Sequence, residues 1–79
     1  MPTTDVIMPQ LGFDMEEGTI QHWLKHPGDA VTRGEPLCDV ETEKVTLQVE
    51  SYATGTLTEI VHPEGDTVKV GEKIATIEE

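Results

Sequence analysis

The chain has 79 residues, of which 35% are hydrophobic and 4% aromatic, so it can form one small core but not a scaffold around a buried catalytic cleft. Acidic residues outnumber basic ones by 16 to 5, and the formal net charge is −11. A negative charge of this size repels phosphate backbones and anionic lipids, which disfavours nucleic acid and membranes as partners. No apolar run approaches the roughly 20 residues of a membrane span.

Residue usage and spacing predict an all-β chain. Threonine occurs 11 times and valine 8 times, whereas alanine occurs only 3 times, and β-branched residues favour strands. Apolar and polar residues alternate most clearly at 18–25 and 44–50. Turn residues separate the predicted segments at Pro27-Gly28-Asp29, Arg33-Gly34-Glu35, Glu64-Gly65-Asp66 and Val70-Gly71-Glu72. We therefore predict about eight short strands.

An internal repeat predicts how these strands are organised. Residues 18–41 align with residues 55–78 at an offset of 37, and 8 of the 24 aligned pairs are identical. Each half is too small to bury a core alone, so we expect the halves to pack face to face about a pseudo-two-fold axis. The predicted fold is a flattened β-barrel or sandwich of two four-stranded antiparallel sheets (a barrel-sandwich hybrid), with residues 1–79 as a single domain. The identical pairs include the glycines Gly18 and Gly55, Gly28 and Gly65, and Gly34 and Gly71.

The sequence contains no recognisable catalytic or metal-binding constellation. Ser51 and the lone cysteine, Cys38, have no base at a suggestive spacing, and Cys38 aligns with Ala75 in the repeat, as a small core residue would. A single cysteine excludes an internal disulfide, which fits a reducing compartment. We predict no catalytic residue and no metal site, and we expect a cytoplasmic location or, for a processed organellar subunit, the mitochondrial matrix.

The segment joining the two halves carries an unusual lysine. Residues 40–45 connect two strand patterns without the Gly, Asn or Pro that a tight primed turn requires. A type I turn with Glu43 and Lys44 at its centre is permitted, because that geometry tolerates most residues. The tip of such a hairpin is highly exposed, so a modifying enzyme could reach Lys44 without disturbing the fold. Most surface lysines are only solvated charges, and this position alone does not identify a site.

The sequence around Lys44 resembles the lipoyl domain family. The resemblance is carried by Glu41-Thr42-Glu43-Lys44-Val45, by residues 34–40 before it and by residues 8–20 and 23–25 upstream. It covers almost the whole chain, and the family shares the two-half repeat. The chain looks like the N-terminal lipoyl domain of the acyltransferase (E2) component of a 2-oxo acid dehydrogenase complex.

The resemblance assigns roles to individual residues. It implies that lipoate is attached to Lys44 in amide linkage and that a lipoate ligase or lipoyl transferase recognises the flanking Glu41, Thr42, Glu43 and Val45. Glu43 replaces the commoner Asp of the family. The loop at 10–17 should lie near Lys44 and contact the decarboxylase (E1). The candidate contacts there are Leu11, Gly12 and Phe13, although Leu11 fits a core position better and Phe13 fits a contact and a core edge equally well.

The resemblance also implies a carrier function. The lipoyl group is reductively acylated by a thiamin-dependent E1, carries the acyl group to the E2 core for transfer to coenzyme A, and is reoxidised by the flavin-dependent dehydrogenase E3. In this interpretation the domain is the N-terminal part of a longer E2 subunit and is monomeric when isolated. The sequence around residues 11–18 slightly favours a pyruvate-type complex.

Two other functions remain open on the sequence. A biotinyl carrier domain shares the fold and the hairpin lysine, but such domains usually have Met on both sides of the lysine, where this chain has Glu43 and Val45. An unmodified β-module that only docks proteins belongs to a different class. Modification chemistry distinguishes the three hypotheses.

Overall fold

The computed structural model describes residues 2–10 and 14–79 and contains two four-stranded antiparallel sheets. One sheet has the order β1-β8-β6-β3 and the other β5-β4-β2-β7. No helix occurs in the described ranges, so none there could cross a membrane. The predicted all-β fold and its eight strands are confirmed. The strands are β1 (Thr3–Ile7), β2 (Glu17–Trp23), β3 (Ala30–Val31), β4 (Pro36–Glu41), β5 (Thr46–Glu50), β6 (Gly55–Ile60), β7 (Thr67–Lys69) and β8 (Lys73–Glu78).

The two sequence halves interlock, and each contributes strands to both sheets. β3 of the first half pairs with β6 of the second, and β7 of the second half pairs with β2 of the first. Equivalent hydrogen bonds precede these crossings: the Gly28 N–H donates to Leu57 O and the Gly65 N–H to Ile20 O, each at 2.7 Å. The expected face-to-face packing of separate halves is therefore wrong in detail, although the pseudo-two-fold relation holds.

Glycine turns explain the exchange of strands. Gly28 and Gly65 have backbone φ values of 98° and 96°, which residues other than glycine adopt only with strain. Each turn reverses the chain after a long strand. The strands that follow the two turns are short: β3 has two residues and β7 has three. Strands this short are stable only as edges of a sheet that already exists, and the neighbouring edge belongs to the other half.

A single apolar core lies between the sheets. Alternating strand residues point inward, so the same register that pairs the strands also buries their apolar side chains. Trp23, only 6% exposed, satisfies its indole N–H by donating to His62 O at 2.9 Å. The fully buried larger side chains are Val6, Met8, Ile20, Val31, Leu37, Cys38, Val40, Leu57, Val68, Ile74 and Ile77.

Cys38 gives the core a pH dependence that can be measured. Burial, with the nearby charge of Asp39 as a second cause, raises the pKa of the thiol from 9.0 to about 12. The unfolded chain can therefore ionise this thiol above about pH 9 while the folded chain cannot, so stability falls between about pH 9 and pH 12. Ala75 occupies the equivalent buried position of the second half, so we expect an alanine to fit at position 38 as well.

We expect Cys38→Ala to remove this dependence. At pH 7 the variant should lose about 1 kcal/mol of unfolding free energy because a buried atom is lost. Above pH 9 the wild-type chain should lose stability relative to the variant by up to about 1.4 kcal/mol per pH unit. Urea unfolding of both proteins between pH 7 and pH 10.5 measures the difference. Parallel pH profiles would contradict the assignment of Cys38 as the titrating group.

Candidate functional site

The hairpin between β4 and β5 has a two-residue tip formed by Glu43 and Lys44. The strand ladder ends at the pair Glu41–Thr46, and the Thr42 N–H then donates to Val45 O at 2.8 Å. Neither tip residue has positive φ. This excludes a type I′ turn, which requires positive φ at both central residues, and is compatible with the type I geometry that the sequence permits.

Thr42 closes this tip with its side chain. Its Oγ1 donates to Val45 O at 2.9 Å, and the Val45 N–H donates to the same Oγ1 at 3.3 Å. In a β-turn with the usual backbone hydrogen bond, the Val45 N–H would donate to the Thr42 carbonyl oxygen; here it donates to the Thr42 hydroxyl. The sequence placed Thr42 among the residues recognised by a ligase, whereas the structure gives it an internal bracing contact. The signal for this role was a threonine immediately before a turn, where hydroxyl bonds to the backbone are common.

Lys44 is exposed and forms no ion pair with any described residue. Two lysine–carboxylate ion pairs and two histidine–carboxylate contacts occur in the described part of the chain, and none involves Lys44. By contrast, Lys25 Nζ lies 3.1 Å from Glu35, whose pKa is lowered by the hydrogen bond from that amine and by a second one from Thr32 N–H. Lys73 Nζ lies 3.3 Å from Asp5. The amine of Lys44 can therefore react without the loss of a structural contact.

An open groove of about 860 Å³ lies beside the hairpin. Residues 14–19 form one wall, and residues 41–45 together with Leu47 form the other, so residues 14–17 of the loop at 10–17 lie near Lys44 as expected. Leu11, Gly12 and Phe13 lie outside the described residues. The lining residues are Asp14, Met15, Glu16, Glu17, Gly18, Thr19, Glu41, Thr42, Glu43, Lys44, Val45 and Leu47.

The groove is strongly acidic. Among its described lining residues, five are Asp or Glu, and Lys44 alone has a basic side chain. Apolar surface is also present, because Val45 is 52% exposed next to the lysine. Met15 lies in the opposite wall and packs against the core. A partner that binds here meets a negative surface with a small apolar contact at the tip.

The wall of the groove that contains Met15 departs from the internal repeat. Nine residues, 8–16, connect β1 to β2, whereas only four, 51–54, connect the equivalent strands β5 and β6. Met8 and Ser51 begin these two connections and occupy equivalent places, because Met8 O accepts from Gly71 N–H as Ser51 O accepts from Gly34 N–H. Residues 14–16 of this longer connection lie in the groove next to Lys44. Loops on a rigid scaffold commonly carry binding residues, so its placement fits a recognition role.

Comparisons with known proteins agree with this arrangement. A family model described as "Biotin-requiring enzyme" (Biotin_lipoyl) matches residues 4–77. The chain is 49% identical over 78 residues to the lipoamide acyltransferase component of the branched-chain alpha-keto acid dehydrogenase complex of Bacillus subtilis. It is 51% identical over 74 residues to the dihydrolipoyllysine-residue acetyltransferase component of the pyruvate dehydrogenase complex of Corynebacterium glutamicum. These matches cover 99% and 94% of the chain but only 18% and 11% of the relatives.

Solved structures also resemble this chain over nearly its whole length. The lipoyl domain of the 2-oxoglutarate dehydrogenase complex from Azotobacter vinelandii superposes with a TM-score of 0.76, is 41% identical and is covered to 95%, as is this chain. Kluyveromyces lactis urea carboxylase superposes with a TM-score of 0.82 over 99% of this chain and 6% of its own, but at 22% identity it shows a shared fold alone. The chain therefore belongs to the biotin/lipoyl family, and within it is a lipoyl domain of the kind found in the E2 acyltransferase components of 2-oxo acid dehydrogenase complexes.

Proposed function

We propose that residues 1–79 act as a carrier domain that bears lipoate in amide linkage on Nζ of Lys44. The observation that carries this proposal is an exposed lysine at the apex of the hairpin of a lipoyl domain, with no ion pair to any described residue. The residues present fit the group, because the tip is exposed and an amide on Lys44 would break none of the ion pairs found among the described residues. We also propose that the domain is part of a longer E2 subunit, since the chain spans only 11–18% of the curated relatives reported above.

The attachment reaction needs only the amine from this chain. A ligase activates lipoate with ATP as the acyl adenylate, and deprotonated Nζ of Lys44 attacks its carboxyl carbon. The new C–N bond forms as the C–O bond to AMP breaks, and the amine loses one proton. The positive charge of the lysine disappears, so the groove then contains five carboxylate side chains and no basic one. The product is more attractive to a basic partner surface than the unmodified domain.

Lipoate held on Lys44 would supply a disulfide. This disulfide would allow two-electron reductive acylation by a thiamin-dependent E1, acyl transfer to coenzyme A at the E2 core and reoxidation by the flavin of E3. This chain supplies placement. Lys44 stands at the tip of a compact domain, and a tether to a larger subunit would hold it at high effective concentration near three successive active sites. The names of the relatives support E1, E2 and E3 as partners of such a carrier.

The preference for a pyruvate-type complex is not confirmed. Identities are 51% to the pyruvate-type component, 49% to the branched-chain component and 45% to the 2-oxoglutarate component of Bacillus subtilis. These differences are too small to identify the substrate. We propose only that the acyl group comes from a 2-oxo acid, and acylation rates with the three kinds of E1 would identify which one.

Intact-mass spectrometry tests the proposed modification. The domain is incubated with lipoate, ATP and a lipoate ligase, and in parallel with biotin, ATP and a biotin ligase. We expect one lipoyl adduct and no biotin adduct, with tryptic cleavage lost after Lys44 alone. A biotin adduct would move the chain to the carboxylases. If neither reaction gives an adduct, although the lipoate ligase modifies a known E2 domain in the same assay, the chain would be interpreted as an unmodified docking module.

A further inference from the structure

We propose that Thr42 is a positioning residue for the modification of Lys44. Its hydroxyl braces the tip of the hairpin, so that the ligase meets the lysine in one presented conformation. This inference rests on the proposed function, because it concerns the same lysine. It goes further by assigning the geometry of the tip to a side chain other than the lysine that is modified.

Hydrogen bonds at the tip show how the brace works. Val45 O accepts two hydrogen bonds, one from the Thr42 N–H at 2.8 Å and one from Thr42 Oγ1 at 2.9 Å. The Val45 N–H in turn donates to Thr42 Oγ1 at 3.3 Å. Both backbone polar groups of Val45 are thus bound to Thr42, and two of these three bonds depend on the hydroxyl. One side chain therefore fixes the exit of the turn.

Packing cannot replace this brace. Glu43, Lys44 and Val45 are all exposed, whereas Thr42 at the base of the tip is half-buried. Strand pairing stops one residue earlier, at Glu41–Thr46. Between those points the path of the chain depends on local hydrogen bonds. Their loss would let the tip sample other conformations, and an enzyme that accepts one of them would see a smaller competent fraction.

Three variants separate positioning from mere stability. Thr42→Val keeps the shape of the side chain and removes the hydroxyl, Thr42→Ser keeps the hydroxyl, and Thr46→Val removes the hydroxyl of an exposed threonine in the adjoining strand. For each variant we measure kcat and KM of lipoylation with the protein as the varied substrate, and amide hydrogen exchange of Val45. Urea unfolding shows that each variant is folded under the conditions of the assay.

We expect Thr42→Val to reduce kcat/KM for lipoylation by about tenfold. The exchange of the Val45 amide should rise by a similar factor, because its acceptor is lost. Thr42→Ser should recover most of the rate, and Thr46→Val should match the wild-type chain. Wild-type kinetics for Thr42→Val, or a Thr42→Ser variant as slow as Thr42→Val, would overturn the proposal.

The exchange measurement keeps the two proposals apart. If the wild-type domain is not lipoylated, the proposed function fails, yet the Val45 amide still reports whether the Thr42 hydroxyl holds the tip. If the wild-type domain is lipoylated and the exchange of Val45 is unchanged in Thr42→Val, the brace is absent and the inference alone is wrong.

Discussion

Replacing Lys44 with glutamine should abolish lipoylation while leaving the fold intact. The glutamine amide is not nucleophilic, so no acyl transfer from lipoyl adenylate can occur at position 44. The side chain is exposed at the hairpin tip and forms none of the ion pairs found in the described residues. Exposed substitutions of this kind change the free energy of unfolding by about 0.5 kcal/mol or less. Intact mass after ligase treatment and urea unfolding measure the two effects.

Lys69→Gln is the matched control for this variant. Lys69 is an exposed residue of β7 that pairs with Glu17, a lining residue of the groove. It also takes part in none of the ion pairs or histidine–carboxylate contacts found in the described part of the chain. Both substitutions change the formal net charge from −11 to −12, so the ligase meets the same overall charge. We expect Lys69→Gln to be lipoylated at the wild-type rate. An adduct on Lys44→Gln, or its absence from Lys69→Gln, would contradict Lys44 as the attachment residue.

Much of the fold could be predicted because the repeat imposes a simple pattern. The segments 18–25 and 44–50, in which apolar and polar residues alternate, contain most of β2 and all of β5. The glycines at 28 and 65 lie in turns and have positive φ. The interlocking of the halves could not be predicted, because β3 has only two residues and its partner β6 lies in the other half. Pairing over such a distance leaves no local signal in so short a segment.

The site was predictable to a different degree. Exposure of Lys44 follows from its place in a turn between two strands, and the structure agrees. The bracing contact of Thr42 depends on the direction of one hydroxyl, which residue spacing does not specify. The acidic groove depends on residues 14–19 meeting residues 41–45 and Leu47, and these segments are adjacent only once the sheets have formed. The excess of acidic residues is evident from the composition, but the grouping of five of them beside Lys44 is not.

Glycine-to-alanine substitutions at Gly18 and Gly55 should separate two positions that the repeat makes equivalent. A Cβ at Gly55 would overlap the carbonyl oxygen of Glu78 and lie 2.9 Å from its carbonyl carbon. A Cβ at Gly18 would instead overlap Cγ1 of Val40 and lie 3.1 Å from Met15 Cε, which is the end of a flexible side chain. Side chains can shift into alternative conformations more readily than a paired strand can move. The repeat alone would assign both substitutions the same cost.

We expect Gly55→Ala to lower the free energy of unfolding by about 3 kcal/mol and Gly18→Ala by about half as much. In Gly55→Ala the backbone of β8 must move away from β6, which weakens the pairs Thr56–Glu78 and Leu57–Ile77. A loss of this size is a large fraction of the about 5–15 kcal/mol that stabilises a typical domain. Urea unfolding of both variants measures the difference, and the wild-type chain sets the reference slope.

Lipoylation provides the second measurement on the same pair. Gly55 lies in the sheet that does not contain β4 and β5, so the folded fraction of Gly55→Ala should present Lys44 unchanged. Gly18 lines the groove beside the hairpin, and displacement of Val40 in β4 there can reach the tip. We therefore expect the less destabilised variant, Gly18→Ala, to be the slower ligase substrate at a temperature where both are folded. The opposite order of rates would mean that the geometry of the tip follows global stability, and that the groove side of the domain has no special influence on Lys44.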